Sequence, residues 1–275
     1  MTGLSQSIGI FDSGIGGLSV LKALRAELPA EDFLYIADSG HAPYGERNDA
    51  YVVARSLAIA KYLVAQNIKA LVVACNTATA AAIDLLRATY PHLPIIGVEP
   101  ALKPAMQLSK TKHIAVMATR STLASARFAA LLAAHHGQAR FTLLACDGLA
   151  ESIERSVEHS DDPRLIAACS VILGATGLFS TENKVKANID TLVLGCTHYP
   201  FAAQHIGWHA GPGVQLIDTG DAVARQTRLS LKGRLAAHNC TSTVQLGCTG
   251  DPGALQAAAK AWVDVFCRVQ ALSIE

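Results

Sequence analysis

The sequence predicts an α/β fold of two similar domains, each with a mainly parallel sheet flanked by helices. Three observations carry that prediction. Short β-branched runs alternate with longer stretches of helical period, which is what parallel strands joined by helical crossovers require. At 275 residues the chain is long enough for two domains of ordinary size. One strand-and-turn segment, "ALVVACNTAT", is echoed closely by "TLVLGCTHYP" about one α/β domain further along.

The elements follow in order. "SIGIF" (7–11) reads as a strand, and after a glycine-rich turn Leu18, Leu21, Leu24 and Leu28 share one helical face closed by Pro29. "FLYIAD" (33–38) is the second strand. The segment 48–67 is a helix entered at Asn48 and left at Asn67, followed by the strand "KALVVACNT" and the alanine-rich helix 78–90. "LPIIGV", "HIAVMAT", "RFTLLAC" and "TLVLGCT" are further strands. Helices are expected around 121–136 and 149–180, the latter broken near Asp162-Pro163. "VQLIDTG" and "TVQLGCTG" complete the strands, and a last helix spans about 253–271.

Composition narrows the function. Lys and Arg number 23 against 22 Asp and Glu, so no basic field suits nucleic acid and no acidic block forms a tail. The expected partners are small molecules or a second copy of the chain, as a homodimer. The N-terminus has no basic and apolar regions of signal-peptide type, and no apolar run is long enough to span a bilayer. A cytoplasmic location with no membrane partner is expected. Seven cysteines occur without a CxxC pair or a Cys/His cluster of zinc-site spacing. They read as reduced thiols, and no metal is expected.

"FDSGIGGLS" (11–19) follows a strand and opens a helix, where free N–H groups attract an anion. It is not a dinucleotide fingerprint, because Ser19 stands where the third glycine belongs, and it lacks the lysine of a P-loop. A small carboxylate fits it better than a nucleotide. Asp12 is either a helix cap or a polar group aimed at the ligand, and Ser13 has the same two readings.

In "ACNTAT" Cys75 takes the last strand position, with Asn76 and Thr77 at the helix start as caps or ligand contacts. A cysteine closing a strand is ordinarily small apolar filler. A thiol at a helix N-terminus, however, is favoured as thiolate. Cys196 stands in a matching setting. In open parallel sheets ligands bind outside the carboxyl ends of the strands, so both thiols are expected to face one active-site cleft between the domains. Two such thiols suit racemisation, with a base on one side of a carbon and an acid on the other. Most enzymes that remove an amino acid's α-proton use pyridoxal phosphate as an electron sink. No lysine lies in these strand-end motifs, so no cofactor is expected. His198 either assists Cys196 or simply caps and packs.

The segments "FDSGIGGLSV", "APYGER", "VVACNTAT", "VLGCTHYPF" and "LIDTG" resemble the glutamate racemase family of bacterial cell-wall synthesis, within the cofactor-independent aspartate/glutamate racemase superfamily. They occur in family order from residue 8 to about 221. The resemblance implies interconversion of L- and D-glutamate, supplying D-glutamate for peptidoglycan, with Cys75 and Cys196 as the two catalytic acid/bases. It makes Asp12 and Ser13, Tyr44 and Gly45, Asn76 and Thr77, and Thr197 and His198 substrate-binding pairs. Asp12 and His198 would also tune the thiols. Glu154 falls at the offset of an acidic helper, with Glu151 as a near rival, although Asp147 replaces the proline usual after Cys146. "ATRST" looks like the family's threonine-bearing loop, which would set Thr119 and Thr122 near the substrate. The remaining cysteines, at 146, 169, 240, 248 and 267, read as structural, Cys248 being the most ambiguous because it too ends a strand.

The implied domains are 1–98 with 211–275, and 99–210. Some family members carry an N-terminal extension associated with activation by a cell-wall precursor. Here the first strand begins almost at once, and no such control is expected. The alternatives are an aspartate racemase, a thiol hydrolase or decarboxylase with a single nucleophilic cysteine, and a non-catalytic carboxylate-binding protein. The second thiol argues against the hydrolase, and a binding module would need neither cysteine.

Overall fold

The structure is a computed structural model that describes residues 6–157, 161–174, 188–236 and 242–275. The chain divides into two units, Met1–Val98 with Gly220–Glu275, and Glu99–Thr219.

The first unit is built on a six-stranded sheet in the order β10-β9-β2-β1-β3-β4. Its strands are β1 (Ile8–Asp12), β2 (Phe33–Ala37), β3 (Ala70–Val73), β4 (Ile95–Gly97), β9 (Val244–Cys248) and β10 (Val269–Ala271). Every pairing is parallel. The interior strands β1 and β3 are buried along their whole length, so they read as unbroken apolar runs rather than alternating ones. Helices α1 (Leu18–Glu27), α2 (Asp49–Ala65), α3 (Asn76–Thr89), α10 (Gly220–Ser230) and α11 (Pro252–Val263) accompany them. Leu18, Leu21 and Leu24 are buried on α1, as their spacing predicts. Asn48 caps α2, its Oδ1 accepting from the Tyr51 N–H at 2.9 Å.

The second unit carries a four-stranded parallel sheet, β6-β5-β7-β8, from β5 (His113–Ala118), β6 (Arg140–Ala145), β7 (Thr191–Leu194) and β8 (Gln215–Ile217). Its helices are α4 (Leu102–Leu108), α5 (Arg120–Ala124), α6 (Ala126–Ala133), α7 (Leu149–Arg155), α8 (Pro163–Gly174) and α9 (Ala203–Ala210). Leu102, Ala105 and Met106 of α4 pack with Ile114, Val116, Phe128 and Val193 in its core. No helix among the described residues is long and apolar enough to cross a membrane.

Several sequence-based boundaries shift. The helix expected over 121–136 is two helices, because Ser125 ends α5 and caps α6, its Oγ accepting from the Phe128 N–H at 3.1 Å. The break expected near Asp162-Pro163 is present, α8 starting at Pro163, and the far end of the 149–180 segment lies outside the described residues. The last helix stops at Val263, where Asp264 adopts a left-handed conformation with φ 53°, and residues 269–271 form β10 instead. Residues 215–217 pair with Thr191–Val193, which carries the 211–219 segment into the second unit and moves the boundary from 211 to 220. Helices α4, α9 and α10 have no counterpart in the sequence reading.

Asp190 anchors the start of β7. Its carboxylate accepts from Ser109 Oγ (2.6 Å), Lys110 N (2.7 Å), Thr111 N (3.0 Å) and Thr191 Oγ1 (3.0 Å). Partial burial raises its pKa, but these donors outweigh that and hold it at about 2. A depressed carboxylate pKa stabilises the fold above the unfolded value of 3.8 and stops doing so as pH falls through about 2. Asp190→Asn is expected to cost on the order of 1–2 kcal/mol at pH 7 once solvent screening is allowed for. In denaturant titrations that cost should shrink steadily below pH 4.

Candidate active site

In the first unit, candidate residues gather at the carboxyl ends of β1, β2 and β3. Asp12 closes β1 and is fully buried. Its Oδ2 accepts from the Gly17 N–H at 2.6 Å, and Ser13 Oγ lies 3.4 Å from Oδ1. The N-cap of α1 is Gly17, without a side-chain cap, and Asp12 instead holds the N–H of that residue, with its carboxylate pinned beneath the turn that opens the helix. Glycine is required at 17, since a Cβ there would lie 2.6 Å from Asp12 Cβ and 2.9 Å from Tyr35 Oη.

Cys75 stands two residues beyond β3, as the N-cap of α3 rather than the last strand residue. Its Sγ accepts from the Ala78 N–H at 3.4 Å and lies 3.6 Å from Ser13 Oγ. This places the thiol at the positive end of a 14-residue helix, a setting that favours thiolate. Asn76 and Thr77 are buried in the first turn. Asn76 Nδ2 donates to Val98 O at 3.4 Å, and its Oδ1 is buried without a hydrogen-bond partner.

Tyr44 is buried and Gly45 partly buried in a short 3-10 turn, Tyr44–Glu46. The Tyr44 hydroxyl donates to Asp38 Oδ2 at 2.6 Å. Burial first, then the Asp38 charge, pushes its pKa far above the ordinary tyrosine value. The sequence reading missed Asp38, which also accepts from Arg55 and Thr249. The available signal was its place just past β2, matching that of Asp12 at the end of β1.

In the second unit, candidate residues gather beyond β5, β6 and β7. Cys196, Thr197 and His198 are buried. Cys196 departs from the setting expected of it: it precedes a 3-10 turn, Tyr199–Ala202, and does not cap an α-helix. Its neighbour is a side chain instead. Cys196 Sγ lies 3.6 Å from His198 Nδ1, and His198 Nε2 lies 2.8 Å from Glu154 Oε1 on α7. Glu151 pairs instead with Arg155 on the exposed face of α7, so of the two glutamates it is Glu154 that contacts His198.

Burial lowers the His198 pKa, but hydrogen bonds and charges from Cys196 and Glu154 more than offset it, leaving the imidazole well above its ordinary value. The protonated ring donates Nδ1–H to sulfur and Nε2–H to carboxylate. Tyr199, also missed, is fully buried, with its hydroxyl 3.5 Å from Cys146 O. Burial and the nearby Cys196 and Cys146 sulfurs raise its pKa. Thr119 caps α5: its Oγ1 accepts from the Thr122 N–H (3.2 Å) and donates to Thr122 Oγ1 (2.9 Å).

The six described cysteines are all thiols. Burial raises Cys146 to about 12 and Cys169 to about 11, and it also raises Cys248 and Cys267. These four are protonated near neutral pH. Cys240 lies outside the described residues. Among those residues, no group of three or more His, Cys, Asp or Glu could hold a metal ion.

Residues 8–227 match the model of the Asp/Glu/Hydantoin racemase family, and the chain belongs to that family. Within it, the likeness is to glutamate racemases. One from Ralstonia pickettii is 48% identical over 259 residues, covering 94% of this chain and 88% of that protein. The crystal structure of a glutamate racemase from Bacillus anthracis has a TM-score of 0.85 at 31% identity, covering 98% of this chain and 97% of that one. The Escherichia coli enzyme, crystallised with L-glutamate and the activator UDP-MurNAc-Ala, also has a TM-score of 0.85, at 28% identity and with 98% and 99% covered.

The His198–Glu154 contact makes a titration prediction. A raised histidine pKa stabilises the fold below the unfolded value of 6.5, and the contribution disappears as pH rises through the folded value. Glu154→Gln should lower the His198 pKa in an NMR titration and destabilise the protein more at pH 6 than at high pH. An unchanged His198 titration would show that the carboxylate does not govern the ring.

Proposed function

We propose that the protein interconverts L- and D-glutamate without a cofactor, Cys75 and Cys196 acting on opposite faces of one Cα, and that the D-glutamate serves peptidoglycan synthesis. The observation that carries this reading is a buried thiol past a strand end in each unit, Cys75 with the Ala78 N–H on its sulfur and Cys196 with the His198 ring beside it. The other described thiols are held protonated by burial.

One thiolate removes the α-proton, and its electron pair is delocalised into the substrate carboxylate as an enolate-like anion. The opposite thiol then delivers its proton to the other face. Donors fixed around the carboxylate stabilise the developing charge without reorganisation, and burial keeps water from competing for the anion. The field at the start of α3 suits the carboxylate, whereas the amides of Gly17 to Leu21 at the start of α1 are already bonded within the protein. The unpartnered Asn76 Oδ1 suits the substrate ammonium.

Asp12 and His198 act through the thiols, and Glu154 acts through His198. Ser13, Gly45, Thr77, Thr119, Thr122 and Thr197 complete the proposed binding set. By family resemblance Cys196 takes the proton of the L-enantiomer. The chemistry needs reduced sulfur, which agrees with a cytoplasmic location. A homodimer belongs to the same reading, and light scattering tests it.

The test is conversion of L-glutamate followed by optical rotation, with L-aspartate as the control substrate. Cys75→Ser and Cys196→Ser should each abolish racemisation, because a lone thiol returns a proton only to its own face. Each variant should still exchange the α-proton of one enantiomer with deuterium oxide. Two-way turnover in either variant would refute the paired-thiol mechanism, and preferential turnover of aspartate would refute the substrate.

A further inference from the structure

Asp38 lies just past β2, fully buried, with each carboxylate oxygen accepting two hydrogen bonds. Tyr44 Oη (2.6 Å) and Arg55 Nε (3.0 Å) donate to Oδ2. Arg55 Nη2 (2.9 Å) and Thr249 Oγ1 (2.8 Å) donate to Oδ1. An ionised carboxylate offers about four lone-pair sites, so the protein itself fills them all. Asp38 therefore has no acceptor left for a substrate or for a travelling proton.

The donors come from widely separated parts of the chain. Arg55 lies on α2, and its Nη1 donates to Ile274 O at 2.8 Å, which ties the segment after β10 to the cluster. Thr249 follows β9, which pairs with β2 along its length. Thr249 Oγ1 also accepts from the Gly40 N–H at 3.1 Å, drawing in the turn that leads toward Tyr44. A Cβ at position 40 would lie 2.6 Å from Thr249 O, so only glycine allows this approach. The Asp38 N–H donates to Asp12 O at 2.9 Å, linking the cluster to the strand end that carries Asp12.

We infer that Asp38, braced by Arg55 and Thr249, is a positioning residue that holds the Tyr44–Gly45 turn in place for substrate. The inference rests on the proposed glutamate site. The Tyr44 hydroxyl spends its proton on Asp38, so toward substrate it presents an acceptor oxygen and its ring, while the turn presents backbone N–H groups. Loosening the brace therefore weakens substrate binding more than proton transfer.

The test uses Thr249→Val, which keeps shape and removes the hydroxyl, Thr249→Ser, which restores it, and Arg55→Lys, which keeps charge but loses the two-pronged grip. Two readouts are taken on the full chain. The first needs no substrate: the ring Cζ resonance of Tyr44, assigned by its absence in Tyr44→Phe, reports the hydroxyl's hydrogen bond. It should move in Thr249→Val and Arg55→Lys and return in Thr249→Ser. The second is kinetic: Thr249→Val should raise KM for glutamate about tenfold with kcat little changed, the loss of one hydrogen bond to a charged group.

A Tyr44 resonance unmoved in Thr249→Val overturns the brace. So does a lowered Tm with unchanged KM, which marks a merely structural contact, and so does a serine variant no better than valine. If wild-type protein fails to racemise glutamate, the functional reading fails instead, and the Tyr44 resonance still decides whether the brace exists.

Discussion

A buried thiol is a competent base only where hydrogen-bond donors offset the cost of its negative charge, and the surroundings of the two proposed bases, Cys75 and Cys196, supply such donors in different ways. At Cys75 the donor is a backbone amide at the start of α3, backed by the field of a long helix. At Cys196 the donor is an imidazolium, itself held protonated by Glu154. A backbone amide cannot lose its proton, whereas His198 can. The surroundings of Cys196 are thus the ones whose electrostatics depend on pH and on a side chain 44 positions away in sequence.

Parallel topology sets where these groups lie. With every strand of a sheet running the same way, the carboxyl ends fall along one edge, and the residues just past them share a surface. Asp12 ends one strand of the first sheet, and Asp38, Cys75 and Thr249 follow three others. Thr119, Cys146 and Cys196 follow three of the second. Strand ends are positioned by the sheet ladder and buried by the helices that follow, so they hold polar side chains more rigidly than long loops do. The cost is that each buried polar group needs a partner, which explains the dense bonding around Asp12 and Asp38.

Much of this was legible in the sequence because apolar runs and helix starts leave local marks. The β-branched runs located all nine strands it named, and Asn48 and the leucines of α1 placed their helices. The thiols stood out because their surrounding motifs echo each other. What stayed hidden depends on contacts between distant segments. Residues 264–271 end in an edge strand because β9 offers it a ladder, which local helical period cannot reveal. Asp38 is one acidic residue after one strand until α2 and the turn after β9 bring Arg55 and Thr249 to it. The echo also misled: equivalent cysteines suggested equivalent helix caps, whereas the turn after Cys196 is a 3-10 helix and histidine takes the amide's place. Glu154 and Glu151 are separable only once α7 shows which of them reaches His198.

The central claim is that two thiols, rather than one, handle the proton. The most direct measurement is the isotope carried by the first D-glutamate formed from ordinary L-glutamate in deuterium oxide, read by mass spectrometry at low conversion. With two thiols, the one that completes the reaction has already exchanged with solvent, and the product carries deuterium at Cα from the first turnover. D-glutamate that retains the substrate's own protium would mean a single group carried the proton from one face to the other, and would contradict the account.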